Sequence, residues 1–454
     1  MTSAASNSRV DPRRLVLDLL LSRDEFPTRL FPNVSERRGL DPRDRALARA
    51  ILVGVLRHKR TLDCIFRPYA NRRRLDRVVM ATLRMAVFQR FFLHSIPDYA
   101  AFGATLDAAR PRLHRSLAFV NAVLRAVQRG VVEEDQGGKP PARDLLIEGE
   151  RNWRFDRPLF PDPGADPAAY WAAAASYPDF LVRRWFEAAG VPRTLERMRL
   201  FNRTPPLALR INPLRSSPEE VREELEKAGY EFLEGSGDHA LILRGAAEEL
   251  SRLPGFSAGH WSVQDLSAQR AVALAEVRPG ERVLDLCAAP GGKTFALFER
   301  SQGAAEIVAC DVDPDRLQRL RSDRQRLGHD VVIASLGQDG TSIPGGEWDL
   351  ILLDLPCSNT GVLGRRPEAR WRFQPGSLRR LVGIQRRIAA GVLEKALGPR
   401  TRVLWSTCSL EPEENELAVR RFARKAGLEI LAEEPMEPEA ARSGGYAALL
   451  GPAR

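Results

Sequence analysis

The chain has 454 residues, 44% hydrophobic and 28% charged, a balance that leaves room for about three globular domains with sizeable cores. No uninterrupted apolar run approaches membrane-spanning length, and the first residues, MTSAASNSRVDPRR, carry no apolar stretch behind their charges; a membrane role is excluded and a cytoplasmic protein is expected. The net charge of +10 is divided unevenly: residues 1–130 hold 25 Lys and Arg against 11 Asp and Glu, and residues 131–454 hold 44 against 48.

In chain order, apolar residues first recur at helical spacing in Leu15 to Leu21, Ala46 to Leu56, Val78 to Phe92 and Leu117 to Val127, with Pro and Gly breaks between them. Asp41-Pro42 reads as an N-cap followed by proline at the first helical position. The pattern predicts an all-α bundle of five to seven helices over 1–130. Arg72, Arg73, Arg74, Arg77, Arg84 and Arg90 give this module its charge. A solvated face is the plain reading of such a run; binding the phosphates of a nucleic acid, as an RNA-binding domain, is the alternative favoured here. His58, His94 and His114 show no metal-ligand spacing, and no metal is expected.

Val131 to Ala142 (VVEEDQGGKPPA) is polar and aperiodic, so 131–165 reads as a linker. Residues 166–260 mix helix and strand signals, with a helix from Tyr177-Pro178-Asp179 through Phe186, strands at 207–211 and 240–244 and a helix at 218–228, and read as a small α+β accessory subdomain. Residues 261–454 alternate strands, expected at 282–286, 306–310, 331–334, 349–353 and 402–405, with helices. That alternation predicts an α/β doubly wound, Rossmann-like parallel sheet, whose ligands bind beyond the carboxyl ends of the strands.

The stretch VLDLCAAPGGKT, Val283 to Thr294, is a strand, a turn of small residues and a helix start. A P-loop needs a glycine where Cys287 stands, and the adjacent Gly291 and Gly292 do not make G-x-G-x-x-G. A nucleoside without a phosphate chain, such as S-adenosyl-L-methionine, fits better, with Asp311 at the end of the next strand to hold its ribose.

Two later strands each deliver a cysteine to the same face: DLILL runs into Asp354-Leu355-Pro356-Cys357, and Arg402 to Trp405 runs into Ser406-Thr407-Cys408. The five cysteines, at 64, 287, 310, 357 and 408, form neither a disulfide framework nor a C-x-x-C pair. Cys64 and Cys310 read as small apolar fillers. Carbon methylation of cytosine explains the other arrangement. A thiolate adding at C6 turns C5 into a nucleophile, and a carboxyl group facing N3, here Asp354, takes up the electron density. The target base must leave its stack. Spacing alone does not choose between Cys357 and Cys408.

Over nearly its whole length the chain resembles the NOL/NOP/Sun RNA cytosine-5 methyltransferases, and within them the RsmB-type branch acting on 16S ribosomal RNA. RDRALARAILVGVLRHKRTLD resembles a NusB-like domain, and LDLCAAPGGKT, DLPCSNTGVLGRRPEARWR and WSTCSLEPEENE carry the catalytic likeness. The resemblance implies Cys408 as nucleophile and Cys357 as release catalyst. It implies cofactor contacts from Cys287, Ala288, Ala289, Pro290, Gly291, Gly292, Lys293, Asp311, Asp339 and Asp354, with Lys293 otherwise a solvated helix-start residue. It implies as partner 16S ribosomal RNA or a small-subunit assembly intermediate, with no obligate protein partner and a monomeric chain. Transfer RNA as substrate, or an inactive NusB-like binding factor, are the alternatives. Leu266 and Leu355 replace the family's alanines and are expected to reshape the pocket wall; the ending SGGYAALLGPAR lacks the family's lysines, and no functional residue is assigned to it.

Overall fold

The computed structural model describes residues 11–453 except 23–25, 94–95, 135–138, 236–238, 245–249 and 337–341. The described residues form two compact units, one within 11–202 with 366–371 and the other within 203–365 with 372–453.

The first unit opens with seven α-helices: α1 (Pro12–Leu21), α2 (Pro27–Arg37), α3 (Pro42–Arg57), α4 (Lys59–Phe66), α5 (Arg77–Phe92), α6 (Asp98–Leu113) and α7 (Leu117–Arg129). Asp41 caps α3 by accepting from the Asp44 amide at 2.8 Å, with Pro42 in the first turn. Their apolar stripes meet in one core around Leu15, Leu52, Phe66, Leu83, Phe91 and Leu124. His58 is part of that core, stacked near Phe88 and Phe92, and burial drives its pKa well below the usual value, so it is a neutral packing residue. His94 lies outside the described residues.

Residues 131–165 are not a bare linker. β1 (Val131–Glu134), β2 (Leu145–Glu148) and β3 (Arg151–Phe155) form an antiparallel sheet in the order β1-β3-β2. The Gly- and Pro-rich stretch that dominates the local composition lies between strands whose own alternation, LLIE and RNWRF, buries Leu145, Leu146, Trp153 and Phe155. Trp153 meets Phe91 edge-on at 5.3 Å. α8 (Pro167–Ala174), α9 (Asp179–Ala189) and α10 (Val191–Asn202) also belong here, because Thr61 Oγ1 donates to Ala173 O at 2.9 Å and Arg60 donates to Tyr177 O at 2.8 Å. Arg370 belongs to this unit as well. Its buried guanidinium donates to the carbonyls of Arg57 and Ser176, each at 3.1 Å, and to Asn202 Oδ1 at 2.9 Å.

The second unit starts with a four-stranded antiparallel sheet. It consists of β4 (Leu207–Ile211), β5 (Phe232–Glu234), β6 (Ala240–Leu243) and β7 (Trp261–Val263) in the order β5-β6-β4-β7, with α11 (Pro218–Lys227). A seven-stranded sheet follows. Its elements are α12 (Leu266–Ala273), β8 (Arg282–Asp285), α13 (Gly292–Arg300), β9 (Glu306–Asp311), α14 (Pro314–Leu327), β10 (Val332–Ser335), β11 (Leu350–Asp354), α16 (Pro375–Lys395), β12 (Arg402–Thr407), α17 (Glu416–Ala426), β13 (Glu429–Met436) and β14 (Gly445–Gly451); the short α15 (Ala369–Arg372), between β11 and α16 in the chain, belongs through residue 371 to the first unit.

The strand order is β10-β9-β8-β11-β12-β14-β13. β8 to β12 are mutually parallel and doubly wound as expected, while β14 pairs antiparallel with β12 and β13, making the sheet mixed. The order reverses between β8 and β11, the switch point at which such sheets bind ligands. One face of the sheet packs Val283, Ile307 and Leu350 under α13 and α14 through Phe295, Leu297 and Leu320. The other packs Ile351, Leu353 and Trp405 under α16 and α17 through Val392, Val419 and Phe422. Leu355 is buried in this second cluster, and Leu266 is buried beside Ala208, Ala240 and Ile242, so both larger side chains are taken up in hydrophobic packing.

Candidate active site

β8 ends at Asp285, and the chain turns through Leu286 to Gly291 before α13 begins at Gly292. The turn is fastened to its neighbouring strands by Leu286 N donating to Leu352 O (3.3 Å) and Ala288 N donating to Cys310 O (2.9 Å). Gly291 closes it at φ +108°, a left-handed conformation that side chains rarely adopt; a Cβ there would stand 2.5 Å from the Phe295 ring. Small residues are therefore needed for the chain to reverse this tightly into a helix N-terminus.

Asp285 is buried, and only one of its oxygens is used, Oδ2 accepting from Thr294 Oγ1 at 2.7 Å. Among the described residues Oδ1 has no hydrogen-bond partner although it is buried, and the same holds for Gln264 Nε2 across from Gly292. Burial, with a contribution from Asp354 and opposition from Thr294 and Lys293, pushes the Asp285 pKa up to about 7. Asp311 ends β9 with its carboxylate accepting from Ala289 N (3.1 Å) and Asp313 N (3.0 Å). Arg316 of α14 pairs with Asp311 at 3.3 Å and also donates to Ala289 O. Asp339 lies outside the described residues.

Lys293, in the first turn of α13, reaches Asp354 Oδ1 at the end of β11 at 2.8 Å. Burial works against the ammonium, but Asp354 and the nearby Cys408 more than offset it and hold its pKa above the usual value. Lys293 is therefore an interior charge of the site, not a solvated helix-start residue.

β11 and β12 are parallel neighbours, with Asp354 opposite Ser406, so the loops after them emerge side by side. They bring Cys357 Sγ to 3.3 Å from Cys408 Sγ, both as free thiols. Cys357 is buried and Cys408 half-buried. The contact with Cys408 and burial together raise the Cys357 pKa well above the usual thiol value. The Cys408 thiol donates to Asn359 Oδ1 (3.3 Å), and Asn359 Nδ2 donates to Cys357 O (2.8 Å), so one amide bridges both loops. Asn359 does this from φ +61°.

A second clamp lies beneath. Glu414 accepts from Ser358 N at 3.0 Å, from Ser358 Oγ at 2.6 Å and from Gln385 Nε2 at 3.3 Å, while Ser358 Oγ also meets Ser409 Oγ at 2.9 Å. Gln385, on α16, additionally donates to Pro356 O at 3.0 Å. The C-terminal region closes the site from a third side: Gly361 N donates to Cys408 O at 3.0 Å and Gly444 N to Gly361 O at 2.8 Å.

The structure thus unites Cys287–Lys293, Asp311, Asp354, Cys357 and Cys408 around the carboxyl ends of β8, β9, β11 and β12. Sequence reasoning missed Asp285, Arg316, Asn359, Glu414 and the Gly361–Gly444 contact. Asp285, Asn359, Gly361 and Glu414 do lie inside the motifs LDLCAAPGGKT, DLPCSNTGVLGRRPEARWR and WSTCSLEPEENE. Among the described residues no His, Cys, Asp or Glu cluster is arranged to hold a metal, and no helix is long and apolar enough to cross a membrane.

Three family profiles match the chain. One described as 16S rRNA methyltransferase RsmB/F covers residues 271–448, one for the NusB family covers 11–129, and one for an RsmF/B-like methyltransferase ferredoxin-like domain covers 177–248. The chain is 31% identical to the probable ribosomal RNA small subunit methyltransferase B of Synechocystis, over 90% of its own length and 87% of the relative's. It is also 31% identical to the ribosomal RNA small subunit methyltransferase B of Vibrio cholerae, over 90% of each. Among solved structures, that of PH0851 superposes with TM-score 0.77 at 22% identity, covering 99% of both chains. A methyltransferase homolog protein from Pyrococcus horikoshii gives 0.53 at 26% identity, over 62% of this chain and 97% of its own.

Proposed function

This chain is a member of the RsmB/F family of 16S ribosomal RNA methyltransferases, and on that premise we propose that it methylates C5 of a cytosine in small-subunit ribosomal RNA with Cys408 as covalent nucleophile. The observation that carries the reading is the pairing of Cys357 and Cys408 at 3.3 Å beside the Lys293–Asp354 ion pair.

The turn fits S-adenosyl-L-methionine. It closes tightly at Gly291, presents the buried Asp311 carboxylate at the end of β9, and is flanked by two buried polar atoms, Asp285 Oδ1 and Gln264 Nε2, that have no partner among the described residues. Residues 287–293 and Asp311 would hold it; when bound, it supplies an electrophilic methyl group on a sulfonium. Cys408 Sγ, the more exposed thiol, interacts with the positive charge of Lys293 and is the sulfur that adds at C6 of the base. The Lys293–Asp354 pair faces N3 and holds a proton where electron density accumulates. Cys357, adjacent to the sulfur that must leave, assists removal of the C5 proton and release of the product.

The cytoplasm is the compartment in which such a substrate is met, and the basic helical domain is read as an additional contact to the RNA. Incubating the Cys357→Ala and Cys408→Ala variants with 16S ribosomal RNA and methyl donor tests the assignment. The first is expected to accumulate a covalent protein–RNA adduct and the second to transfer no methyl group; full turnover by Cys408→Ala overturns the nucleophile.

A further inference from the structure

Residues 131–454 carry a slight excess of acidic groups, 44 Lys and Arg against 48 Asp and Glu. Within them, α16 and α17 together hold nine Lys and Arg against only Glu394 and Glu416. Both helices turn their apolar sides to the same sheet face through Ala389, Val392, Val419 and Phe422, which leaves their charges outward. Arg379, Arg380, Arg386, Arg387, Arg420, Arg424 and Lys425 are all exposed, and none makes a side-chain hydrogen bond or ion pair among the described residues. On α14 the arginines are partly tied down, Arg316 to Asp311, Arg326 to Asp323 and Arg324 to Val331 O. The α16 arginines form two pairs seven residues apart, two turns along one face and about 10 Å at roughly 1.5 Å per residue.

The inward side of the same helices is attached to the catalytic loops. Gln385 of α16 donates to Pro356 O, one residue before Cys357. Asn415, at the N-cap of α17, accepts from Thr407 Oγ1 and donates to Ser409 O, on either side of Cys408. We infer that the outer face of α16 and α17 is a docking track for the phosphate backbone of the substrate RNA next to the target base. This rests on the RNA methyltransferase reading and deepens it by naming the surface. Guanidinium groups free of internal partners suit phosphate. A protein partner would ask for an apolar centre, and Leu417 is the one exposed large apolar side chain on these helices.

The test compares the full-length wild type, an Arg379→Gln/Arg380→Gln/Arg386→Gln/Arg387→Gln variant and an Arg319→Gln/Arg321→Gln control on α14. Each is titrated with a 16S ribosomal RNA fragment across a salt series, with S-adenosylmethionine affinity and melting temperature measured in parallel. The α16 variant is expected to bind RNA at least tenfold more weakly, with a salt slope lower by roughly 0.7 per lost contact, about 3 in all, and unchanged cofactor affinity. The control is expected to change the slope by less than about 0.5. An unchanged slope in the α16 variant, or an equal loss per charge in the control, overturns the track. Methyl transfer by the wild type in the same samples reports on the enzyme itself. Transfer intact with an unchanged slope removes only the track, and absence of wild-type transfer to any RNA removes the reading beneath it.

Discussion

Lys293 Nζ and Asp354 Oδ1 lie 2.8 Å apart, joining the first turn of α13 to the end of the strand that leads to Cys357. The lysine side chain is 15% exposed and the aspartate 33%, so the pair is only partly screened by water. Replacing Lys293 by Met removes the positive charge facing both Asp354 and Cys408. The expected outcome is a fall in kcat of about 100-fold or more, with a smaller change in cofactor Kd, because the charge acts where electron density moves. Lys293→Arg is expected to rescue poorly, since a planar fork does not replace a point charge in this space. Single-turnover methyl transfer measures both.

Glu414 is fully buried and acts through Ser358, whose amide and hydroxyl both donate to it. Glutamine at this position keeps one acceptor oxygen and turns the other into a donor facing donors. Glu414→Gln is expected to lower kcat about tenfold while leaving KM for the methyl donor within about twofold. Introduced alongside Cys357→Ala, it is expected to slow formation of the RNA adduct by the same factor, which a general loss of stability would not do. Gel-shift kinetics of that adduct decide the point.

Two glycines give opposite expectations. A Cβ on Gly361 would stand 2.4 Å from Gly444 O and 3.0 Å from Cys408 O, both backbone atoms. Gly361→Ala should therefore displace the cysteine loop and cost about 1–3 kcal/mol together with most of the activity. Gly383 sits inside α16 with nothing within 4 Å of a built Cβ, so Gly383→Ala should stabilise by about 0.5–1 kcal/mol with activity intact. Chemical denaturation of the two variants makes the comparison.

Asp285 sets a pH dependence. Its pKa rises on folding from the ordinary carboxyl value of 3.8 to about 7. The folded state therefore holds the proton more tightly, so the contribution is fully present below about pH 4 and is lost as pH climbs through 7. Asp285→Asn cannot ionise and should gain stability relative to wild type as pH rises from 5 to 7, by about 2–3 kcal/mol at 1.36 kcal/mol per unit. A stability difference that stays flat across that range contradicts the buried carboxyl account. Differential unfolding without methyl donor at pH 5, 6, 7 and 8 gives the curve.

Much of this site was legible in the sequence because its reactive groups follow strands. DLILL before Asp354 and RVLW before Ser406 are apolar runs that can only be central strands, and placing them side by side puts Cys357 and Cys408 together. The residues that hold the cysteines were not legible in the same way. Asn359, Glu414 and Gln385 are polar side chains whose value comes from a partner distant in sequence, and polarity alone reads as solvent exposure. The three-stranded sheet at 131–155 was hidden by the turn residues inside it, and β13–β14 because EILAEEPM alternates partly through charged residues. Of the arginines that pointed to a polyanion in the helical domain, Arg84 pairs bidentately with Asp63 and Arg90 stacks on Trp153 at 4.6 Å. Arg73 and Arg74 are exposed. Composition counts charges but cannot separate those already spent on internal contacts.

β14 lies between β12 and β13, so the strand that leads to Cys408 has one neighbour, β11, that precedes it in the chain and another that follows the remaining elements of the sheet. A nascent chain emerging from a ribosome can pair β11 with β12 and present both thiols, yet Gly444 and β14 are still to come. Until they arrive, β12 is an open sheet edge and the Gly361 loop lacks its backing. The geometry that holds the two thiols therefore depends on a strand made some forty residues after the second of them, and deleting residues 445–451 is expected to loosen the Cys408 loop.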